Sequence, residues 1–197
     1  MMKSPANILI CCIFSAVLAG CVSASPVSRF YTPNSTVVPS NTPRADYSVS
    51  VGPISIPAVV DRQQIVVMTG PNQVSINEFD RWASPLKDEI GHTVVEDLTA
   101  LLGTTKVTQF PQSISSEASY RIVIDILRFD SEQGKSAILD ALWTVSHAES
   151  RKSYRGRTTH TEQVQDNNFA NLVAAHSRAL GRLSTDIAQK IKEMATR

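Results

Sequence analysis

All three cysteines of this 197-residue chain, Cys11, Cys12 and Cys21, fall within its first twenty-one positions. Whatever folds after that point has no thiol left for a disulfide or a thiolate metal site, so burial alone must hold it together. With 42% hydrophobic residues in the chain and roughly 150 positions available to fold, one core suffices.

The leading segment explains why the cysteines cluster there. Lys3 is followed by an almost uncharged apolar run, Ala6 to Val17, which Leu18-Ala19-Gly20-Cys21 closes. That run is short for a membrane span and no charged stop signal follows it, so residues 1–20 read as a signal peptide that is removed. Leu-Ala-Gly-Cys resembles the bacterial lipobox, which makes Cys21 the first residue of the mature chain and the site of lipidation. Its sulphur is expected to carry a diacylglycerol thioether, and its amine an N-acyl chain of palmitate type. Three acyl chains, at ~0.8 kcal/mol per buried methylene, exceed what stable anchoring requires. By similarity to known lipoproteins, Val22 stands where an aspartate often retains the product in the inner membrane. The expected location is therefore the periplasmic leaflet of the outer membrane.

Residues 21–44 are expected to form a flexible tether. Pro26, Pro33, Pro39 and Pro43 sit there among Ser, Thr and Asn, and about twenty such residues span ~25 Å as a coil. Phe30-Tyr31 interrupts the polar tract, either packing locally or docking on the folded domain or on a partner.

Residues 45–197 are expected to form one α+β domain. Tyr47, Val49 and Val51 alternate with serines as in a half-buried strand that Gly52-Pro53 interrupts, with Ile54–Ile56 as a continuation at a bend or edge. Gln64–Met68 and Gln73–Ile76 flank the turn Thr69-Gly70-Pro71-Asn72 as a hairpin. Leu86, Ile90, Val94, Leu98 and Leu101 then recur at helical spacing between Pro85 and Gly103. Thr105–Phe110 reads as a short strand. Tyr120, Ile122, Ile124 and Ile126 share one face of a long strand, while Val123, Leu127 and Phe129 are expected to make its other face apolar too. Gln133-Gly134-Lys135 turns into a strand over Ser136–His147, and the Thr-rich Ser153–Val164 suits an edge. Leu172, His176, Leu180, Leu183, Ile187, Ile191 and Met194 form the stripe of a C-terminal helix. This order predicts an antiparallel-rich mixed sheet of five to seven strands with two amphipathic helices packed on one face.

Chemistry-bearing residues are sparse. Nineteen basic and 18 acidic residues give a formal charge of +1, and Lys3 leaves with the signal. The mature chain is neutral, which argues against nucleic acid as a partner. His92, His147, His160 and His176 have no metal-ligand spacing, and His176, on an apolar stripe, reads as a core histidine. Gly134-Lys135-Ser136 lacks the first glycine of a phosphate loop, since Phe129 stands in its place, so no nucleotide is expected. Asp125, Asp130 and Asp140 have no evident base or metal partner in sequence. No catalytic constellation emerges, no cofactor is expected, and a non-enzyme is the reading.

Two stretches carry a resemblance. Val51-Gly52-Pro53-Ile54-Ser55-Ile56-Pro57-Ala58-Val59-Val60-Asp61-Arg62-Gln63-Gln64-Ile65-Val66-Val67, with Phe79-Asp80-Arg81-Trp82-Ala83-Ser84-Pro85-Leu86, resembles the signature of the PqiC family, the auxiliary lipoproteins of ABC-type intermembrane transport. Arg121–Phe129, the Trp143 strand and the helical C-terminus resemble it as well. The resemblance implies an outer-membrane collar that receives the tip of a tunnel-forming MCE protein. It further implies a phospholipid or other hydrophobic cargo, ATP hydrolysis elsewhere in the system, and a role in envelope integrity. A ring-like homo-oligomer suits such a collar. Pro57, Asp61, Arg62, Arg81 and Trp82 are the candidate partner-binding residues. Trp82 either packs in the core or meets the partner; Asp61-Arg62 is either a surface pair or a register-fixing loop; Arg81 is a candidate to pair with Asp61. The alternative class is a pilot or assembly-factor lipoprotein for another outer-membrane complex.

Overall fold

The computed structural model describes residues 26–39, 45–111 and 117–196. Cys21 and the signal segment lie outside the described residues.

Eight strands and two helices make up the described chain. β1 (Arg29–Tyr31), β3 (Gln64–Gly70) and β4 (Gln73–Trp82) form a three-stranded sheet in the order β1-β4-β3. β2 (Val49–Ser55), β5 (Val107–Gln109), β6 (Tyr120–Glu132), β7 (Ser136–His147) and β8 (Ser153–Gln163) form a five-stranded sheet in the order β5-β2-β6-β7-β8. Both helices, α1 (Leu86–Leu102) and α2 (Phe169–Ala195), pack on the five-stranded sheet and on each other. The α+β class and the single-sided helical layer hold, and the strands divide between two mixed sheets. β1–β4, β2–β5 and β2–β6 run parallel; β3–β4, β6–β7 and β7–β8 run antiparallel.

The central strand departs from strict alternation at a definite place. Tyr120, Ile122, Ile124 and Ile126 point into the core, as their spacing demands, but a register shift between Ile126 and Arg128 inserts an extra residue. Leu127 and Arg128 are both exposed, and Phe129 swings inward to 1% exposure. Phe129 thus joins the buried face rather than the opposite one, and that opposite face carries Arg121, Val123 and Asp125. A bulge is the only way a strand changes the parity of its faces without ending. Gly52-Pro53 acts similarly in β2. The strand runs through it with a register shift between Val51 and Ile54, and Gly52 has φ +116°, a conformation that favours glycine.

The helices start and stop on local chemistry. α1 follows Pro85, and Gly103, at φ 65°, closes it by donating its N–H to Thr99 O at 3.1 Å. α2 begins three residues before the first stripe leucine, because Asn168 Oδ1 accepts the N–H of Ala170 at 2.9 Å. Its stripe Leu172, Leu180, Leu183, Ile187 and Ile191 is fully buried against the sheet.

His176 shares that stripe with no exposure at all. Its ring stacks on Phe129 at 4.0 Å between centroids and meets Trp82 edge-on at 6.2 Å. Nε2 lies 2.8 Å from Ser131 Oγ, while Nδ1 has no partner. A bare Nδ1 is the cheaper orphan, which assigns the proton to Nε2 as donor to Ser131. Burial lowers the imidazole pKa from 6.5 to about 3. The unfolded chain therefore binds a proton here that the folded chain refuses. This contribution to stability is complete above pH 6.5 and is lost as pH falls toward 3, by on the order of 4 kcal/mol. Urea midpoints measured from pH 7 to pH 4 should fall steeply in the wild type. His176→Gln should flatten that dependence, and an unchanged slope would contradict the assignment.

Candidate docking surface and the strap behind it

Asp80 organises the small sheet. It lies on the inner face of β4 with its side chain 2% exposed, and Arg29 donates to it from Nε at 2.8 Å and from Nη2 at 2.9 Å. The Tyr31 hydroxyl donates to Asp80 Oδ1 at 2.8 Å. Arg29 and Tyr31 alternate along β1, and β1 lies parallel to β4 with Arg29 opposite Asp80 and Tyr31 opposite Trp82. One carboxylate thus takes three hydrogen bonds from one short strand. Burial, then the bond to Asp80, raises the Tyr31 phenol above its ordinary pKa, so it remains a donor across the neutral range.

Beyond β1 the chain runs over the helix pair as a strap. The Thr32 hydroxyl donates to the Glu89 carboxylate. Pro33 is buried, and the Thr93 hydroxyl sits 3.3 Å from its carbonyl. The Asn34 N–H donates to Ser177 Oγ at 3.1 Å. Ser184 Oγ donates to Asp97 Oδ2 at 2.9 Å, while the buried Asp97 Oδ1 has no hydrogen-bond partner. At Gly181 an added Cβ would fall 3.0 Å from Thr36 Oγ1 and 3.3 Å from Val37 Cγ1, so the strap approaches α2 closely there. Burial raises the Asp97 pKa, and nearby Ser35 and Ser184 only partly offset it.

Residues 29–37 are therefore built into the fold, which corrects the expectation of a continuous flexible tether over 21–44. Proline and polar residues suggest a linker by composition, but here they satisfy polar groups on two helices that face away from the sheet. The sequence does hold a signal for this. Glu89, Thr93 and Asp97 recur every four residues on α1, and Ser177, Gly181 and Ser184 line one side of α2. All of them are buried. A polar stripe buried on the outer side of a helix pair needs a cover.

The predicted partner-binding residues separate. Trp82 is 2% exposed, with its ring 6.2 Å from Phe129 at 61°. It is a core residue, which removes it from the partner-contacting set. Arg81 is half-buried and does not pair with Asp61. Its Nε donates to Glu78 O at 2.8 Å, and Nη2 lies 3.7 Å from the Glu78 carboxylate. The loop between β2 and β3 carries Pro57, half-buried, and Asp61 and Arg62, both exposed. Val60 pins this loop, being 7% exposed, with its N–H on Pro57 O at 3.0 Å; Arg62 N–H then bonds Val60 O at 2.8 Å. Val59, beside Asp61 and Arg62, is 46% exposed. Asp80, adjacent to Arg81 in the same motif, anchors β1, and sequence spacing does not single it out.

Several polar residues of the five-stranded sheet pair within it. Asp140 accepts two bonds from Arg157, at 2.8 and 2.6 Å, and a third from Thr159 at 3.0 Å. These bonds, Arg157's first, hold its carboxyl below the usual range. His160 lies 3.0 Å from Glu162, and His147 Nδ1 lies 3.0 Å from Ser150 Oγ. Among the described residues no three His, Cys, Asp or Glu side chains gather as a metal site, and no helix is long and apolar enough to cross a membrane.

What these elements define is an α+β module whose charged groups hold its own segments in place and whose loops and sheet faces are presented outward. The chain belongs to the family of ABC-type transport auxiliary lipoprotein components, whose model matches residues 30–188 and so begins inside β1. It is an auxiliary transport component of the PqiC type, as its two sequence motifs suggest. Two solved structures share the fold. One is a Xanthomonas campestris protein assigned to family DUF330, 20% identical, with a TM-score of 0.64 over 82% of this chain and 93% of the other. The second is an uncharacterized protein, 17% identical, with a TM-score of 0.69 over 84% and 99%. No curated protein sequence matches significantly.

Asp80→Ala should strand Arg29 and the Tyr31 hydroxyl and cost about 2 kcal/mol. Its effect should exceed that of Arg29→Ala, because Arg29 stays in contact with water while Asp80 does not. Chemical denaturation of the two variants checks the order.

Proposed function

We propose that this protein is a lipid-anchored, non-catalytic docking subunit of an MCE-type intermembrane lipid transport system. Its acylated Cys21 would hold it in the periplasmic leaflet of the outer membrane, where it receives the outer end of the tunnel protein and supports envelope integrity. The observation that carries this reading is the family match over residues 30–188, joined to the lipobox ending at Cys21. A collar of several copies fits the same role.

The loop bearing Asp61 and Arg62 is the part of the family motif offered to a partner. It is exposed, it is fixed at its base by Val60, and it stands beside Arg81 at the start of β3. Opposite charges at adjacent exposed positions add little to stability and much to the choice and register of a partner. Two measurements test the role. Cys21→Ser should leave the product unacylated and move it from the outer-membrane fraction to the soluble one. In the acylated protein, Asp61→Lys combined with Arg62→Glu should lower co-purification of an MCE protein by about tenfold, equivalent to about 1.4 kcal/mol, at unchanged thermal stability. Unaltered co-purification would remove this loop from the interface.

A further inference from the structure

We infer that the outer face of the three-stranded sheet rests on the bilayer, with Phe30 and Phe79 in the headgroup layer. The inference depends on the anchoring at Cys21 proposed above.

Chain length sets the first constraint. Arg29 is held to Asp80, so the fold begins there and not at residue 45. Eight residue steps separate Cys21 from Arg29. They reach at most ~28 Å when extended and ~16 Å on average as a coil. A free tether up to residue 45 would allow ~84 Å. The strap thus confines the β1 edge of the molecule to the neighbourhood of the lipid surface.

The second constraint is what that edge presents. Phe30 lies opposite Arg81 on the outer face of the sheet, and Phe79, two residues before Arg81, shares that face. Further along β4, Ile76 stands opposite the buried Val66 and Val74 opposite Met68. Phe30 is 60% exposed, Ile76 41%, Val74 40% and Phe79 39%. Val27, on the approach from the anchor, is 86% exposed. Phe30 and Phe79, open on one face at the anchored end with exposed Val27 leading to them, match the way an amphipathic surface enters the headgroup region. Charge is not the attraction. Arg29 is committed to Asp80 and Arg81 to Glu78. The contact is therefore apolar, and salt should not release it.

The full-length acylated protein in vesicles of phosphatidylethanolamine and phosphatidylglycerol provides the test. The mature chain has no other thiol, so Phe30→Cys, Phe79→Cys and the control Leu142→Cys each accept one polarity-sensitive label. Leu142 is 42% exposed on the far side of the five-stranded sheet. Because interfacial insertion is ~5–10 Å deep, quenching by doxyl-labelled lipid should be about threefold or more stronger at positions 30 and 79 than at 142, and unchanged in high salt. Flotation of the vesicles separates the two ideas. Protein that fails to float refutes the anchoring and this orientation with it. Protein that floats while all three labels quench equally refutes the orientation alone. Labels at 30 and 79 shielded from aqueous iodide in the unacylated Cys21→Ser protein, in buffer without vesicles or detergent, would place a second copy or another protein on this face, and would also overturn the inference.

Discussion

A single buried carboxylate decides where this fold begins. Asp80 takes two bonds from Arg29 and one from Tyr31, and without that acceptor a three-residue strand on a sheet edge would have little to hold it. Short edge strands gain few ladder bonds, so side-chain fixation must supply the rest. Once β1 is fixed, the next residues are delivered onto the helices. There Thr32, Pro33, Asn34 and Ser35 meet polar groups that would otherwise be exposed at the surface or stranded in the interior. Tyr31 connects the same corner to the core, with its ring 6.2 Å from Phe169 at the start of α2.

The larger sheet contributes the mass of the core and the rigidity that the corner leans on. β6 and β7 pair along their whole length, and their inner faces, together with the α2 stripe, are buried. Trp143 illustrates how closely this layer is fitted. Its indole covers Gly156, where an added Cβ would fall 2.2 Å from Cζ2, and its Nε1 donates to Thr158 Oγ1 at 3.1 Å. Thr158 in turn donates to Asp186 of α2 at 2.5 Å. Such a chain ties the sheet edge to the helix without any cysteine.

Periodicity made most of this architecture legible. Both helices, the β3–β4 and β6–β7 hairpins and the C-terminal stripe follow from spacing alone, because one buried face imposes one repeat. Three features escaped for identifiable reasons. Alternation alone puts Phe129 on the wrong face, because a bulge cannot be seen in a pattern of apolar residues. β1 was hidden because three residues between prolines carry no period, and their partners lie fifty positions away. The division into two sheets depends on the loop from Pro57 to Gln63, whose length permits either a hairpin or a change of layer. At the candidate site, the motif containing Arg81 and Trp82 is legible, and of the two readings open for Trp82 the structure selects packing in the core. Asp80 is buried because its cation arrives from β1, and that contact lies beyond any local pattern.

The account turns on residues 29–37 being part of the folded module and not a leash. Hydrogen exchange of backbone amides in the full-length chain measures this directly. If the strap is integral, the amides of β1 that pair with β4 and the Asn34 amide, which bonds Ser177 Oγ, should be protected. Their protection should be lost together with that of the adjoining β4 amides and of Ala83, whose N–H bonds Tyr31 O at 2.8 Å. Exchange of these strap amides at free-chain rates, with β4 still protected, would contradict the account.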